Sequence, residues 1–309
     1  MNVVVIGCGY WGKNHVRVFN RAGRLTGVCD INLPKLGLGV KEYSDYNDVI
    51  MDEAVDGVVI ATPPPTHYRI AMDALVMGKH VLVEKPITVT SEEAASLSAT
   101  AMALKRVLMV GHVLHYHPAI VELKRWVKAG NLGQIQYAYS HRLNFGRIRQ
   151  EEDVFWSFAP HDIYLLLSLI GESPVLVEGG GYSYINQSIN DVAMLRMGFS
   201  SGISAHIFVS WLHPFKEQRT VLVGSDGMAV FDDSREADDK VRVYHHKLWR
   251  ESGLVNTEKA PYSTLRYVDI EPLRAQADHF IHCVEDGIEC QTPGEEGYKI
   301  LRILERANG

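Results

Sequence analysis

Val3-Val4-Val5-Ile6-Gly7-Cys8-Gly9-Tyr10-Trp11-Gly12, followed after a helix-length interval by Leu25-Thr26-Gly27-Val28-Cys29-Asp30, is the stretch that decides the fold. A short apolar run, a G-x-G-x-x-G turn, a helix and a second apolar run closed by an acid make a βαβ unit for a dinucleotide. Each glycine has its own task. Gly7 permits the tight turn off the strand, Gly9 lets backbone N–H groups approach a pyrophosphate, and Gly12 lets helix and strand pack closely. Asp30 would accept hydrogen bonds from the adenosine ribose hydroxyls. It is followed by Ile31 and Asn32, with no Arg to meet a 2′-phosphate, so NAD is favoured over NADP.

Working outward, the alternation of apolar run and amphipathic segment repeats. Strands are expected over 57–61, 80–83 and 107–110, and a helix over 66–78 with Gly78 at its end. Thr90-Ser91-Glu92-Glu93 reads as a capping box opening the next helix. Right-handed crossovers between such strands give a doubly wound parallel sheet, a Rossmann domain assigned to 1–118 with a helix over 118–129 leading out of it. Beyond Gly130 the period drops to two, with strands expected over 134–140, 192–197, 203–209, 219–223, 228–231 and 241–246. Ser225-Asp226-Gly227 marks a hairpin turn. These make 119–309 an α+β domain with a mostly antiparallel open sheet. One helix over 160–170 interrupts it and two more close the chain, the last opening at Thr292-Pro293-Gly294-Glu295, a capping box with Pro at N1. The charged run 232–240 and the stretch 250–261 read as solvated loops.

Composition excludes several classes of function. The chain has 309 residues, 46% hydrophobic and 22% charged, with a net charge of −6, which suits a globular enzyme and offers no basic field for nucleic acid or membrane. Apolar runs fall far short of the ~20 residues of a membrane span, and with a strand expected to start at Asn2 no leader peptide is expected. Cys8, Cys29, Cys283 and Cys290 form no C-x-x-C pair and read as reduced thiols, so a cytoplasmic protein is expected.

A doubly wound sheet binds its ligand beyond the carboxyl ends of its strands, which draws attention to the residues just after each. Thr62-Pro63 with His67 could wall one side of a nicotinamide. Lys85, in Glu84-Lys85-Pro86, carries an ammonium that can hydrogen-bond an oxygen whose charge changes during hydride transfer; the other reading is a surface Lys in a turn before Pro. His112 ends the fifth strand. Zinc binding by His112, His115 and His117 is discounted, because the spacing matches no familiar site and no Cys is near, so no metal is expected. In Pro160-His161, Pro160 suits N1, which places His161 in the first turn, where the helix dipole disfavours the imidazolium and leaves either a neutral base or a structural histidine. Arg147 and Arg149, with Arg142 upstream, either bind substrate phosphates or are loop charges.

With these residues in view, the chain resembles the Gfo/Idh/MocA oxidoreductase family over almost its whole length. The resemblance is carried by Gly7-Cys8-Gly9-Tyr10-Trp11-Gly12, Ala61-Thr62-Pro63 with His67, Glu84-Lys85-Pro86 and a histidine-bearing helix at His161. It implies that Lys85 and His161 handle the proton, that Pro86 shapes the nicotinamide pocket, and that the second domain binds substrate and serves oligomerisation; exposed strands there would favour a homodimer or homotetramer. The coenzyme would lie along Gly7, Gly9, Tyr10, Trp11, Gly12, Asp30, Thr62, Pro63, His67, Glu84, Lys85 and His112. Gly111-His112 through Pro118, the Arg142 to Arg149 segment and Pro160-His161-Asp162-Ile163 look like the branch acting on nucleotide sugars such as UDP-N-acetylglucosamine at C3. The substrate would then touch Lys85, Arg147, Arg149 and His161. Two positions depart from the pattern: Ser157 and Tyr164 stand where many relatives have Asp, which bears on how His161 is oriented and how basic it is. A 3-keto sugar reductase, a polyol or inositol dehydrogenase, and a non-catalytic dinucleotide-binding regulator are the alternatives.

Overall fold

The structure, a computed structural model, describes residues 1–32, 37–146, 148–149 and 152–308. It divides into two compact units, Met1–Tyr116 with Ile270–Arg302, and His117–Asp269 with Ile303–Gly309.

The first unit is built on six parallel strands in the order β3-β2-β1-β4-β5-β6. They are β1 (Val3–Ile6), β2 (Leu25–Cys29), β3 (Lys41–Tyr43), β4 (Gly57–Ile60), β5 (His80–Val83) and β6 (Leu108–Val110). β1 and β4 are buried along their whole length, as unbroken apolar runs in a sheet covered on both faces must be. Helices α1 (Tyr10–Arg21), α2 (Tyr46–Met51), α3 (His67–Val76) and α4 (Ser91–Ala103) make the crossovers. Thr90 caps α4 by accepting from the Glu93 amide (3.3 Å), as its capping box requires. The expected series of five strands is corrected to six. β3 escaped detection because an edge strand of three residues opening on Lys41-Glu42 has no apolar run to betray it.

The boundary at 118/119 also changes. Helix α7 (Pro272–Glu285) returns to the first unit, where Leu273, Ala277, Phe280 and Ile281 join the cluster of Val3, Val5, Val16 and Phe19. Phe280 meets Phe19 edge to face at 6.4 Å and is fully buried, a contribution of about 2 kcal/mol that no amount of sequence adjacency would reveal. Thr292 was expected to cap the last helix, α8 (Gly294–Asn308). Its hydroxyl instead donates to the Val110 carbonyl (3.0 Å), pinning the approach to α8 against the end of β6.

The second unit opens with α5 (Pro118–Lys128), where His117 accepts from the Ala119 amide (3.2 Å) as N-cap. Its sheet has eight strands: β7 (Ile135–Phe145), β8 (Leu176–Tyr182), β9 (Val192–Gly198), β10 (Ser204–Ser210), β11 (Leu212–Gly224), β12 (Met228–Asp232), β13 (Val241–Tyr244) and β16 (Tyr262–Thr264). The order is β16-β13-β12-β11-β7-β10-β9-β8, antiparallel except between β7 and β10. Ala193, Leu195 and Met197 alternate inward with Ala205, Ile207 and Val209 opposite them, facing α6 (Val154–Ile170).

Two loop expectations fail here. The stretch 250–261 overlaps a hairpin, β14 (Lys247–Glu251) with β15 (Leu254–Glu258), joined through Ser252 and Gly253, both at positive φ (50° and 84°). That backbone suits a two-residue hairpin turn, and the pair carries the signal that the exposed strands lack. In 232–240, Asp232 is not solvated: it is buried and paired with Arg219 at 3.2 Å and Arg235 at 3.6 Å.

A Cβ at residue 12 would lie 1.7 Å from the Gly7 carbonyl oxygen. Gly12→Ala should therefore cost about 3 kcal/mol or more of stability in urea unfolding, well beyond the propensity gain of Ala in a helix.

Candidate active site

The site in the first unit is assembled from the carboxyl ends of its parallel strands. Gly7 leaves β1 at φ +89°, and a Cβ there would stand 2.7 Å from the Thr62 amide nitrogen, so the turn off β1 and the turn off β4 touch backbone to backbone. Gly9 differs: nothing lies within 4 Å of its would-be Cβ. It is the N-cap of α1, offers no capping side chain, and no acid occupies the first turn. The start of a twelve-residue helix thus has open space beside Gly9, which leaves room for a pyrophosphate. Tyr10 and Trp11 stand exposed beside it.

Asp30, at the end of β2, accepts from the Cys8 amide (2.6 Å) and the Asn32 amide (2.8 Å), which fixes the carboxylate and leaves further lone pairs for ribose hydroxyls. The Cys8 thiol is pushed up to about 11, first by burial and then by Asp30, so it stays protonated and fills space. These features together fit a dinucleotide.

Beyond β4, Thr66 donates to Thr62 Oγ1 and also lies 2.7 Å from the Pro63 carbonyl oxygen, closing the turn. His67 is turned into the protein. It is buried, with Nδ1 at 2.7 Å from the Pro86 carbonyl oxygen and Nε2 at 2.8 Å from that of Thr62. Burial pulls its pKa below the ordinary histidine value, against the opposing effect of the two carbonyls and Glu84. Its role in the structure is to tie the turn after β4 to the turn after β5.

Glu84 is likewise turned inward: its Oε1 lies 2.7 Å from buried His15 Nε2 on α1, and its Oε2 accepts from the Lys85 amide (3.2 Å). These bonds engage the His67 and Glu84 side chains within the protein. Lys85, half-buried, and cis Pro86 follow at the end of β5, and buried His112 follows Gly111 at the end of β6.

In the second unit His161 is half-buried in the middle of α6, not in its first turn. The N-cap is Asp153, which accepts from the Trp156 amide (2.9 Å), and Pro160 lies inside the helix. His161 therefore lies beyond the reach expected of the helix dipole, whose effect fades within the first turn. What the sequence missed is its neighbour. Asp162 is buried and accepts from Ser140 Oγ (2.7 Å) and from Arg142 Nε (2.7 Å) and Nη2 (3.3 Å), with Ser140 in turn 2.9 Å from Thr220 Oγ1. An acid inside an apolar helix was the signal available. Arg142 is therefore committed to Asp162, Arg149 pairs with Glu152, and Arg147 lies outside the described residues.

Two family models match the chain: the oxidoreductase family with an NAD-binding Rossmann fold over residues 1–112, and the C-terminal domain of the same family over 120–230. The chain belongs to the Gfo/Idh/MocA oxidoreductase family. It is an NAD(P)-dependent oxidoreductase. Its sequence is 29% identical over 256 residues to UDP-N-acetylglucosamine 3-dehydrogenase of Acidithiobacillus ferrooxidans, covering 79% of this chain and 77% of that one. It is 28% identical to inositol 2-dehydrogenase of Burkholderia lata over 75% and 74% of the two chains. In structure the Acidithiobacillus enzyme matches with a TM-score of 0.85 at 26% identity, over 100% of this chain and 96% of that one. A putative oxidoreductase from Magnetospirillum magnetotacticum matches at 0.87 and 28%, over 100% and 99%. Among the described residues no helix is long and apolar enough to cross a membrane.

Gly9→Val should lower NAD affinity at least tenfold by calorimetry while leaving unfolding free energy within about 1 kcal/mol of the parent, because its side chain enters only open space. Asp162→Asn should destabilise by about 3 kcal/mol in urea, since it leaves the Arg142 guanidinium without its buried partner.

Proposed function

We propose that this enzyme oxidises a ring hydroxyl, at C3, of a nucleotide-activated sugar such as UDP-N-acetylglucosamine, with NAD as the acceptor. The observation that carries the reading is the row of strand ends in the first unit, in which the glycine turn, Thr62-Pro63, Lys85 and His112 follow β1, β4, β5 and β6 of one parallel sheet. Such a row is where an open α/β sheet binds ligands. NAD, when bound, supplies the two-electron acceptor for the carbinol hydrogen. Asp30 favours it over NADP, because a fixed carboxylate at the ribose repels a 2′-phosphate.

Lys85 holds the substrate oxygen as its negative charge develops, and His161 takes the hydroxyl proton. His161 is held in register by Asp162, whose three hydrogen bonds to Ser140 and Arg142 fix that turn of α6. The named relative, a UDP-N-acetylglucosamine dehydrogenase, supports the substrate class. We further place the enzyme in the cytoplasm as a homodimer or homotetramer, a reading supported by free thiols at all four cysteines and by exposed Tyr182 and Met194 on the sheet of the second unit.

One observation favours a second reading, a dehydrogenase of an unactivated polyol: Arg142 and Arg149, two of the three arginines offered for a diphosphate, are paired within the protein. Initial-rate assays decide between them. NADH should form from UDP-N-acetylglucosamine or its uronic acid and not from inositol or free hexoses, and the reverse pattern would sink the nucleotide-sugar reading. Lys85→Ala should lower kcat by about a hundredfold or more while NAD still binds.

A further inference from the structure

We propose that His279, Cys283 and Cys290 form a binding site for one zinc ion in the first unit, away from the strand-end row. His279 and Cys283 are four residues apart on α7, so they share one helix face. Gly287, at φ +68°, turns the chain after α7, and Cys290 comes back onto that face. The ligand atoms of the three residues all lie within 4.8 Å of one another, and Cys283 Sγ is 3.4 Å from His279 Nε2. Zinc at ordinary bond lengths in a tetrahedron separates two thiolate sulfurs by about 3.8 Å and a sulfur from a nitrogen by about 3.6 Å. The cluster is therefore close to the spacing the ion demands.

The imidazole is in the right form. The Gln291 amide donates to His279 Nε2 (3.1 Å), which marks that nitrogen as the one carrying the lone pair, and a metal takes over that lone pair on binding. The surroundings order the ring: Tyr116 packs against it at 5.6 Å, and His115 lies 2.7 Å from Gln291 Oε1. Cys283 is buried and the other two are half-buried, so the ion would enter from the side of His279 and Cys290, with a water as its fourth ligand. Two thiolates and an imidazole select a soft or borderline ion, and a tetrahedral arrangement selects zinc.

The site would be structural. Two residues beyond Cys290, Thr292 accepts from the Val110 amide (2.8 Å) and its hydroxyl donates to the Val110 carbonyl, immediately before Gly111 and His112. An ion that fastens the loop before Thr292 to α7 thereby steadies the turn that presents His112.

The test uses the reduced full-length protein, stripped with a chelator and titrated with cobalt(II), then zinc(II). One cobalt per chain should give a near-ultraviolet thiolate-to-metal band with tetrahedral visible bands, both abolished by one equivalent of zinc. The melting temperature should rise with free zinc concentration. Cys290→Ser and His279→Gln should each weaken cobalt binding about a hundredfold. In the unmodified protein, zinc should protect Cys283 and Cys290 from alkylation, read by peptide mass mapping, which needs no variant to fold. The proposal is overturned by a cobalt titration without the thiolate band, by a cobalt affinity unchanged in Cys290→Ser, or by equal alkylation of Cys283 and Cys290 with and without zinc.

Discussion

Two backbone contacts hold the first unit in the form that a dinucleotide needs: α1 against the Gly7 carbonyl, and Gly7 against the Ala61-Thr62 turn. Neither tolerates a side chain, with would-be Cβ atoms at 1.7 Å and 2.7 Å. Because β1 and β4 are neighbours, these contacts lock the place where strand order reverses, and the open helix terminus at Gly9 follows from them. Lys85 is positioned from the same origin, one strand further out.

Beneath that surface lies a second set of bonds. His67 joins the turns after β4 and β5 through two backbone carbonyls, and Glu84 joins β5 to α1 through His15. In the second unit Asp162 does the corresponding work by joining α6 to β7 through Ser140 and Arg142. His15, His67 and Asp162 are buried, and each is hydrogen-bonded, as burial demands. A strained or mobile reactive group would serve poorly in hydride chemistry, where geometry within fractions of an ångström sets the rate. These bonds supply the stiffness.

Much of this was legible in the chain. The apolar runs of β1, β4 and β5 and the glycine spacing fixed the parallel sheet, because a buried strand and a tight turn each leave a compositional mark. Period-two alternation marked β9 and β10 in the same way. What escaped has a common cause. β3 and the β14–β15 hairpin are exposed, so no apolar pattern reports them, and the start of α6 was misplaced because Pro160, a strong local signal for N1, outweighed the Asp153 cap. The inward roles of His67, Glu84, Arg142 and Asp162 depend on partners 5 to 69 residues away in sequence, and spacing carries no trace of which partner a polar side chain meets. The return of α7 to the first unit, and with it the meeting of His279, Cys283 and Cys290, is long-range for the same reason.

The central claim is that this chain removes the carbon-bound hydrogen of a sugar carbinol and delivers it to NAD. The most direct measurement follows isotope: UDP-N-acetylglucosamine carrying deuterium at C3 is incubated with enzyme and NAD, and the reduced coenzyme is analysed by mass spectrometry. The account predicts deuterium in the NADH together with a 3-keto sugar product. Reduced coenzyme without the label, or label retained in full by the sugar, would contradict it.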